Sequence, residues 1–331
     1  TELDNLLGKL KILFQKGLFE HLGPLLPRAM RRAEEMENWA AQKRVLDYER
    51  ILILQISDPK ECEIKLEAIR EKEQSISESE ANYSDFRWYL DRMKMLNWAD
   101  DGTQVQLLQS FKKSPIYTGK KLPLSFKASC ILHRAKHKIA FKEGRLEDAQ
   151  KYLIEAINLY DENPKILFDF QQLYNLLIVA YNLSAIYIYQ NDISKAKELL
   201  SRFGKIGNCE KRAPILFLEK AKRLEILISR KSLDFEMGHK AITDFRNSLP
   251  NLVGRIRKPI AIELDYLSTV FYVNLGRPDL SVFWLNRLLN KKYGPNRPDI
   301  LAFSRLLFLV IHSELENFDL VISGIRSAKV F

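Results

Sequence analysis

The stretch YNLSAIYIYQNDISKAKELLSRF, residues 181–203, carries two helical patterns that meet at QND. Leu183, Ile186, Tyr187 and Gln190 recur at helical spacing, Asn191-Asp192 stops that helix, and Ser194 is placed to begin a second one. Ala196, Leu199, Leu200 and Phe203 continue the apolar face. Taken alone, this is one helical hairpin. Recurring along the chain, it makes the fold an array.

It does recur. AFKEGRLEDAQKYLIEAINLYDENP supplies Ala140, Gly144, Ala149, Leu153, Ala156 and Pro164 in the same order. STVFYVNLGRPDLSVFWLNRLL supplies Tyr272, Gly276, Ser281, Leu285 and Leu288. SRKSLDFEMGHKAITDFRNSLP is a fainter copy with Ser229, Ala241, Phe245 and Ser248, and HSELENFDLVISGIRSAKVF keeps the turn residue Asn317. With Ala149, Ala196, Ala241 and Ser281 as equivalents, the spacings are 47, 45 and 40 residues.

This order of small residue, aromatic, turn and alanine over residues 122–327 resembles the tetratricopeptide repeat. In that family, two antiparallel helices carry small residues where their axes approach closely. The regular repeat is about 34 residues, so the helices or connections here are longer. The resemblance implies an all-α solenoid of antiparallel helical hairpins with irregular repeats of about 40–47 residues and a right-handed superhelical sense.

The first third has the same grammar in a degenerate form. A turn at Lys16-Gly17 is followed by Leu22, Leu25, Leu26, Ala29 and Ala33 on one face, with Pro24 and Pro27 near a helix start, where proline is tolerated. Helices are expected over about 38–56 and 60–78, then a polar loop at SISESEANYSD, then an aromatic-rich helix over 82–99 ending near Trp98. Residues 100–122, with Gly102, Pro115 and Gly119, are the expected boundary between residues 1–115 and residues 116–331 of one continuous solenoid.

Composition agrees with helices: 331 residues hold only 13 Gly and 12 Pro. The net charge of +10 is unevenly placed. Residues 1–115 carry 18 Lys+Arg against 20 Asp+Glu, and residues 116–331 carry 34 against 22, so any electrostatic footprint lies in the C-terminal two thirds. Cys62, Cys130 and Cys209 have neither disulfide nor zinc spacing, which fits a reducing cytoplasm. The greasiest stretch, 166–189, is interrupted by Asp169, Gln171, Gln172 and two Asn, too polar for a membrane span. The first residue is Thr1 and not Met, as expected of a chain trimmed from a longer one.

Signatures of chemistry are scarce. His133 and His137 stand four apart, at a spacing seen in zinc helices, without the adjacent Glu a metalloprotease needs. His137 also falls at the small-residue crossing position, so it is expected against the partner helix. No phosphate loop, dinucleotide fingerprint or nucleophile elbow is present in the sequence. The expectation is no enzyme, no cofactor and no metal site.

Basic residues are the better lead. The segment 119–145 carries Lys120, Lys121, Lys127, Arg134, Lys136, Lys138, Lys142 and Arg145 against Glu143 alone. GRIRKP (254–259) is a second basic knot, expected in a loop before a helix starting near Pro259. In tetratricopeptide arrays the first helix of each hairpin lines a concave groove, and one subfamily holds a partner's terminal carboxylates there with Lys, Arg and Asn. Carried over by register, the resemblance assigns that role to Arg134, Lys138, Asn182 and Arg223. In this register Lys138 replaces an Asn and Leu227 a second basic residue. Tyr174, Tyr181, Tyr187, Tyr189, Phe271, Tyr272 and Trp284 recur at helical spacing and fit hairpin cores, so they need not stack on bases. The expected function is a non-catalytic protein-binding scaffold or adaptor taking a protein, acidic peptide or partner helix. A ligand-responsive sensor and a nucleic-acid-associated adaptor are the alternatives.

Overall fold

The computed structural model describes residues 2–97, 100–205, 214–252, 255–290 and 297–328. Trp98 and Cys209 lie outside the described residues, as does the side chain of Phe203. The described residues form fifteen α-helices and no strand. In order they are α1 (Glu2–Gln15), α2 (Leu26–Glu35), α3 (Trp39–Ile53), α4 (Pro59–Arg92), α5 (Asp101–Lys113), α6 (Phe126–Lys142), α7 (Leu146–Glu162) and α8 (Phe170–Tyr189). There follow α9 (Ile193–Lys205), α10 (Pro214–Ser232), α11 (Phe235–Leu252), α12 (Lys258–Asn274), α13 (Pro278–Asn290), α14 (Pro298–Glu314) and α15 (Phe318–Ala328). Among the described residues, no helix is long and apolar enough to cross a membrane.

One joint is used seven times among the described residues. The backbone N–H of Leu18, Asn38, Arg145, Asp192, Asp234, Arg277 and Asn317 each donates to the carbonyl five residues back, at 2.8 to 3.0 Å. The residue just before each donor has positive φ: Gly17, Glu37, Gly144, Asn191, Leu233, Gly276 and Glu316. This is the Schellman closure, which satisfies carbonyls left open at a helix C-terminus. The same donor residue often opens the next helix. Asn38 Oδ1 accepts from Ala41 N at 3.0 Å, and Asp234 Oδ1 from Met237 N at 3.0 Å. At QND, Asp192 Oδ1 accepts from Lys195 N, so Asp192, and not Ser194, caps α9.

Four residues beyond the joint, the second helix presents Ala149, Ala196, Gly238 and Ser281, all buried. The equivalents are therefore spaced 47, 42 and 43 residues apart, which corrects the register of the third hairpin from Ala241 to Gly238. Ile226 occupies the place that His137, Ser184 and Thr269 take in the other hairpins, and the close approach is made instead by Ser229 and Gly238. A Cβ on Gly238 would lie 2.9 Å from Ser229 Cβ and inside the Phe271 ring contact.

Two compact units divide the chain, Thr1–Val179 and Ala180–Phe331. In the first, successive helices from α1 to α4 pack on one another, α4 on α6, and α6 on α7. Its core runs from Leu3, Leu10, Leu22 and Val45 through Leu46 and Ile69 to Phe86, Tyr89, Phe111 and Ile139. In the second, α10 packs on α9, α11 and α12, α12 on α13 and α14, α13 on α14, and α14 on α15. Phe245, Leu264, Phe271 and Trp284 centre its core.

The expected loop at SISESEANYSD is helical. It lies inside α4, a single helix of 34 residues. The stretch lacks Pro and Gly, and Ile76 and Asn82 on it, with Phe86 just beyond, are buried. Arg50 pairs with Glu73 and Lys43 with Glu80 along its flank. Tertiary burial thus overrides the weak helix propensity of Ser and Asn. Asn82 also donates to Leu122 O at 2.9 Å and accepts from Leu124 N at 3.0 Å, pinning the extended approach to α6. The expected boundary segment is largely helix as well: α5 fills 101–113, with Phe111 buried and its carbonyl accepting from Tyr89 OH at 2.7 Å.

Candidate functional site

Arg134 and Lys138 sit one turn apart on α6, in the first unit. Arg134 Nη1 donates to Asn175 Oδ1 at 2.9 Å, beside a polar network in which Tyr160 OH reaches Gln172. Burial lowers its pKa from the ordinary arginine value. Lys138 Nζ donates to Met93 O at 2.6 Å, and burial, with Lys142, Lys94 and Arg134 nearby, holds its pKa down at about 8. Asn182 is half-buried on α8 and Arg223 is buried on α10, both in the second unit.

Most of the basic segment 119–145 is occupied within the first unit. Lys121 pairs with Asp85, Lys127 with Asp169, and Arg145 with Glu143 and Asp148. Lys136 lies over Tyr152, and Lys142 reaches Gln104. A charge run that looks like a solvated face in one dimension is thus largely spent on tying α6 to its neighbours.

Lys127 belongs to a clasp that the sequence does not announce. Glu37, the positive-φ residue of the α2–α3 joint, accepts from Phe126 N at 2.6 Å and Lys127 N at 2.8 Å, capping α6 across 90 residues of chain. Lys127 Nζ returns to Glu37 O at 3.2 Å and lies over the Trp39 ring. Burial raises the Glu37 pKa, against the two backbone donors.

The second unit holds the denser arrangement of charge. Arg223 is 7% exposed, and its guanidinium stacks 4.4 Å from the Tyr181 ring centroid. One Nη pairs with Glu263 of α12, while the buried Nε has no hydrogen-bond partner among the described residues. Lys220, one turn earlier on α10, places Nζ 4.4 Å from the same ring. Burial, then Arg223 and Arg257, bring its pKa down to about 8. At the start of α12, Arg257 pairs with Glu219 at 2.8 Å, and Arg297 lies 3.8 Å from Glu263. Burial also raises the Tyr181 hydroxyl to about 12, so the ring that both cations approach is neutral.

Of the residues named from the sequence, the structure therefore puts Arg223 in a built charge cluster. Lys220, Tyr181 and Glu263 were not singled out as site residues. The 220–223 spacing on one helix turn was a visible signal, but Tyr181 reads as core from periodicity alone.

The histidine pair is divided in its surroundings. His137 Nδ1 is 3.3 Å from Ala149 O on the facing helix, and burial lowers its pKa to about 4. His133 lies 3.0 Å from Glu155, off the hydrogen-bonding direction. Among the described residues, no group of three or more His, Cys, Asp or Glu is arranged to hold a metal ion. An open cleft of about 640 Å³ in the first unit is lined by Arg50, Cys62, Leu66, Arg70 and Glu73, with Arg50 already committed to Glu73.

No family model, curated protein or solved structure matches the chain.

Proposed function

We propose that this chain is a non-catalytic scaffold or adaptor, built as a stack of tetratricopeptide-like helical hairpins, that binds an acidic peptide or partner helix. The observation that supports it is the recurrent joint: among the described residues, seven helix ends are closed by the same backbone bond, and most helices pack on near neighbours in the chain. Stacks of this kind bury one face of each hairpin against the next and leave an extended surface for partners. The basic surplus beyond residue 115 favours acidic partners over basic ones.

The test is a binding screen of the whole chain against labelled acidic, neutral and basic peptides, with duplex and single-stranded DNA beside them, at low and physiological salt. Selective retention of acidic peptides at physiological salt is expected. Binding to nucleic acid alone, with a steep salt slope and no peptide retained, would replace the adaptor reading with the nucleic-acid one.

A further inference from the structure

We propose that α14 and α15 are the contact face of a homodimer, closed by a two-fold axis that runs across the helices and lays a second copy antiparallel on the first. This goes beyond the peptide-binding reading and does not depend on it.

Helical phase defines the face. On α14, Ile300 packs with Ile262 of α12 and Leu288 of α13, and Ser304 and Ile311 follow it, buried, on that side. Phe303, Leu306 and Val310 form a second stripe about a third of a turn round the same helix. On α15, Gly324 lies against Phe308 and Leu309 of α14, and Phe318, Ile322 and Ile325 make a stripe beside it. Because the joint at Asn317 turns the chain back and α15 packs on α14, both stripes fall on the side of the hairpin away from α12 and α13. No described residue covers them. None of the described side chains of α15 is buried, and an 11-residue helix with so little cover is marginal in water.

Area sets the kind of partner. The six side chains are 43 to 59% exposed, which leaves roughly 600 Å² of apolar surface on one hairpin. That stands at the top of the range for the largest apolar patch on a monomer, about 300–600 Å². Two such faces, with the polar rim of an ordinary homodimer interface that is about 65% apolar, bury roughly 1,800 Å². Specific, stable interfaces bury about 1,200–2,000 Å².

Charge points to a second copy and sets its direction. Residues 116–331 are strongly basic, yet residues 298–328 carry Arg305 and Arg326 against Asp299, Glu314, Glu316 and Asp319. The hairpin is thus exempt from the basic excess that pushes two copies apart. Its exposed charges are also sorted along its length, with Glu314, Glu316 and Asp319 at the joint end and Arg326 at the other. A two-fold axis parallel to the helices sets acid against acid. The axis across them lays α14 on α14 and α15 on α15, with Arg326 of each copy beside Asp319 of the other.

Sedimentation velocity of the whole chain, over a wide range of concentration, reads the dimer. Leu306→Glu/Ile322→Glu puts charge into the face at positions already open to water, Ile64→Glu is the control at an exposed apolar residue of α4, and Asp319→Lys and Arg326→Glu test the direction. Circular dichroism confirms that each variant is folded. We expect wild type and Ile64→Glu to dimerise alike, and the double variant to do so at least about tenfold more weakly. Asp319→Lys and Arg326→Glu should each weaken the dimer by about fivefold alone and recover it when mixed, since only the mixed pair places opposite charges together at both ends.

A wild-type chain that stays monomeric at every concentration would overturn the proposal and leave the face to a different polypeptide. A dimer that persists unchanged in Leu306→Glu/Ile322→Glu would put the contact elsewhere and overturn it equally. Charge variants that fail to recover on mixing would overturn the antiparallel arrangement.

Discussion

His137 shows how much one buried side chain can weigh. It occupies a crossing position given to Ser184 and Thr269 in other hairpins, is held neutral with its pKa near 4, and has the cations Arg134 and Lys138 nearby. In the unfolded chain an imidazole takes up its proton near pH 6.5. Its folded pKa is depressed, so the associated stability is complete above that value and is lost as pH falls toward 4. Between pH 7 and pH 5, wild type should lose about 2 kcal/mol more than His137→Gln in urea unfolding. Parallel pH profiles for the two would contradict this burial. Gly238 makes a second test, because alanine is favoured in helices yet a Cβ there meets Phe271 and Ser229. Gly238→Ala should destabilise by about 1 to 3 kcal/mol, the cost of overpacking, measured by thermal unfolding. Residue type and spacing placed His137 against its partner helix. They could not expose the Glu37 cap on α6, because no local pattern marks a bond across 90 residues.

Helices and their ends were the readable level. Turns at Gly17, Gly144, Asn191 and Gly276 were visible because Gly and Asn adopt positive φ at low cost, and the last was marked by Asn317, which follows the positive-φ residue Glu316. The joints at Glu37 and Leu233 were hidden, since neither residue type advertises that conformation. The polar run within α4 was misread for a related reason: Ser, Glu and Asn signal a loop unless something buries one face, and here Ile76 and Asn82 are buried by neighbours distant in sequence. Proline separates the two readings. At exposed Ser77, Ser77→Pro should cost at least about 3 kcal/mol relative to Ser77→Ala in chemical denaturation, as in any helix interior. Little difference between the variants would mean that the stretch behaves as a loop. Among the candidate site residues, Arg223 was reachable because it carries charge at a regular helix position. Lys220 and Tyr181 needed the packing of α10 against α8 before their roles could be seen.

At the scale of the molecule, the all-helical class followed from composition and periodicity together. The division at Val179/Ala180 did not, because it falls inside the single helix α8 and no Gly or Pro marks it. Each unit has its own core, so damage should stay where it is made. Leu46 is fully buried in the first unit, and Leu46→Ala should cost about 2 to 5 kcal/mol. Amide hydrogen exchange should then accelerate across α2 to α4 and stay unchanged over 258–328. Uniform acceleration along the whole chain would show one cooperative body.

The repeated joint separates two properties that most folds bind together. Its geometry is written in six residues of backbone, and neither helix length nor most side chains enter it. Hairpins of unequal size can therefore be exchanged, lengthened or duplicated while the corner between their helices is kept. The chain can vary its reach as a carpenter's folding rule does, by changing the rods and keeping the rivets.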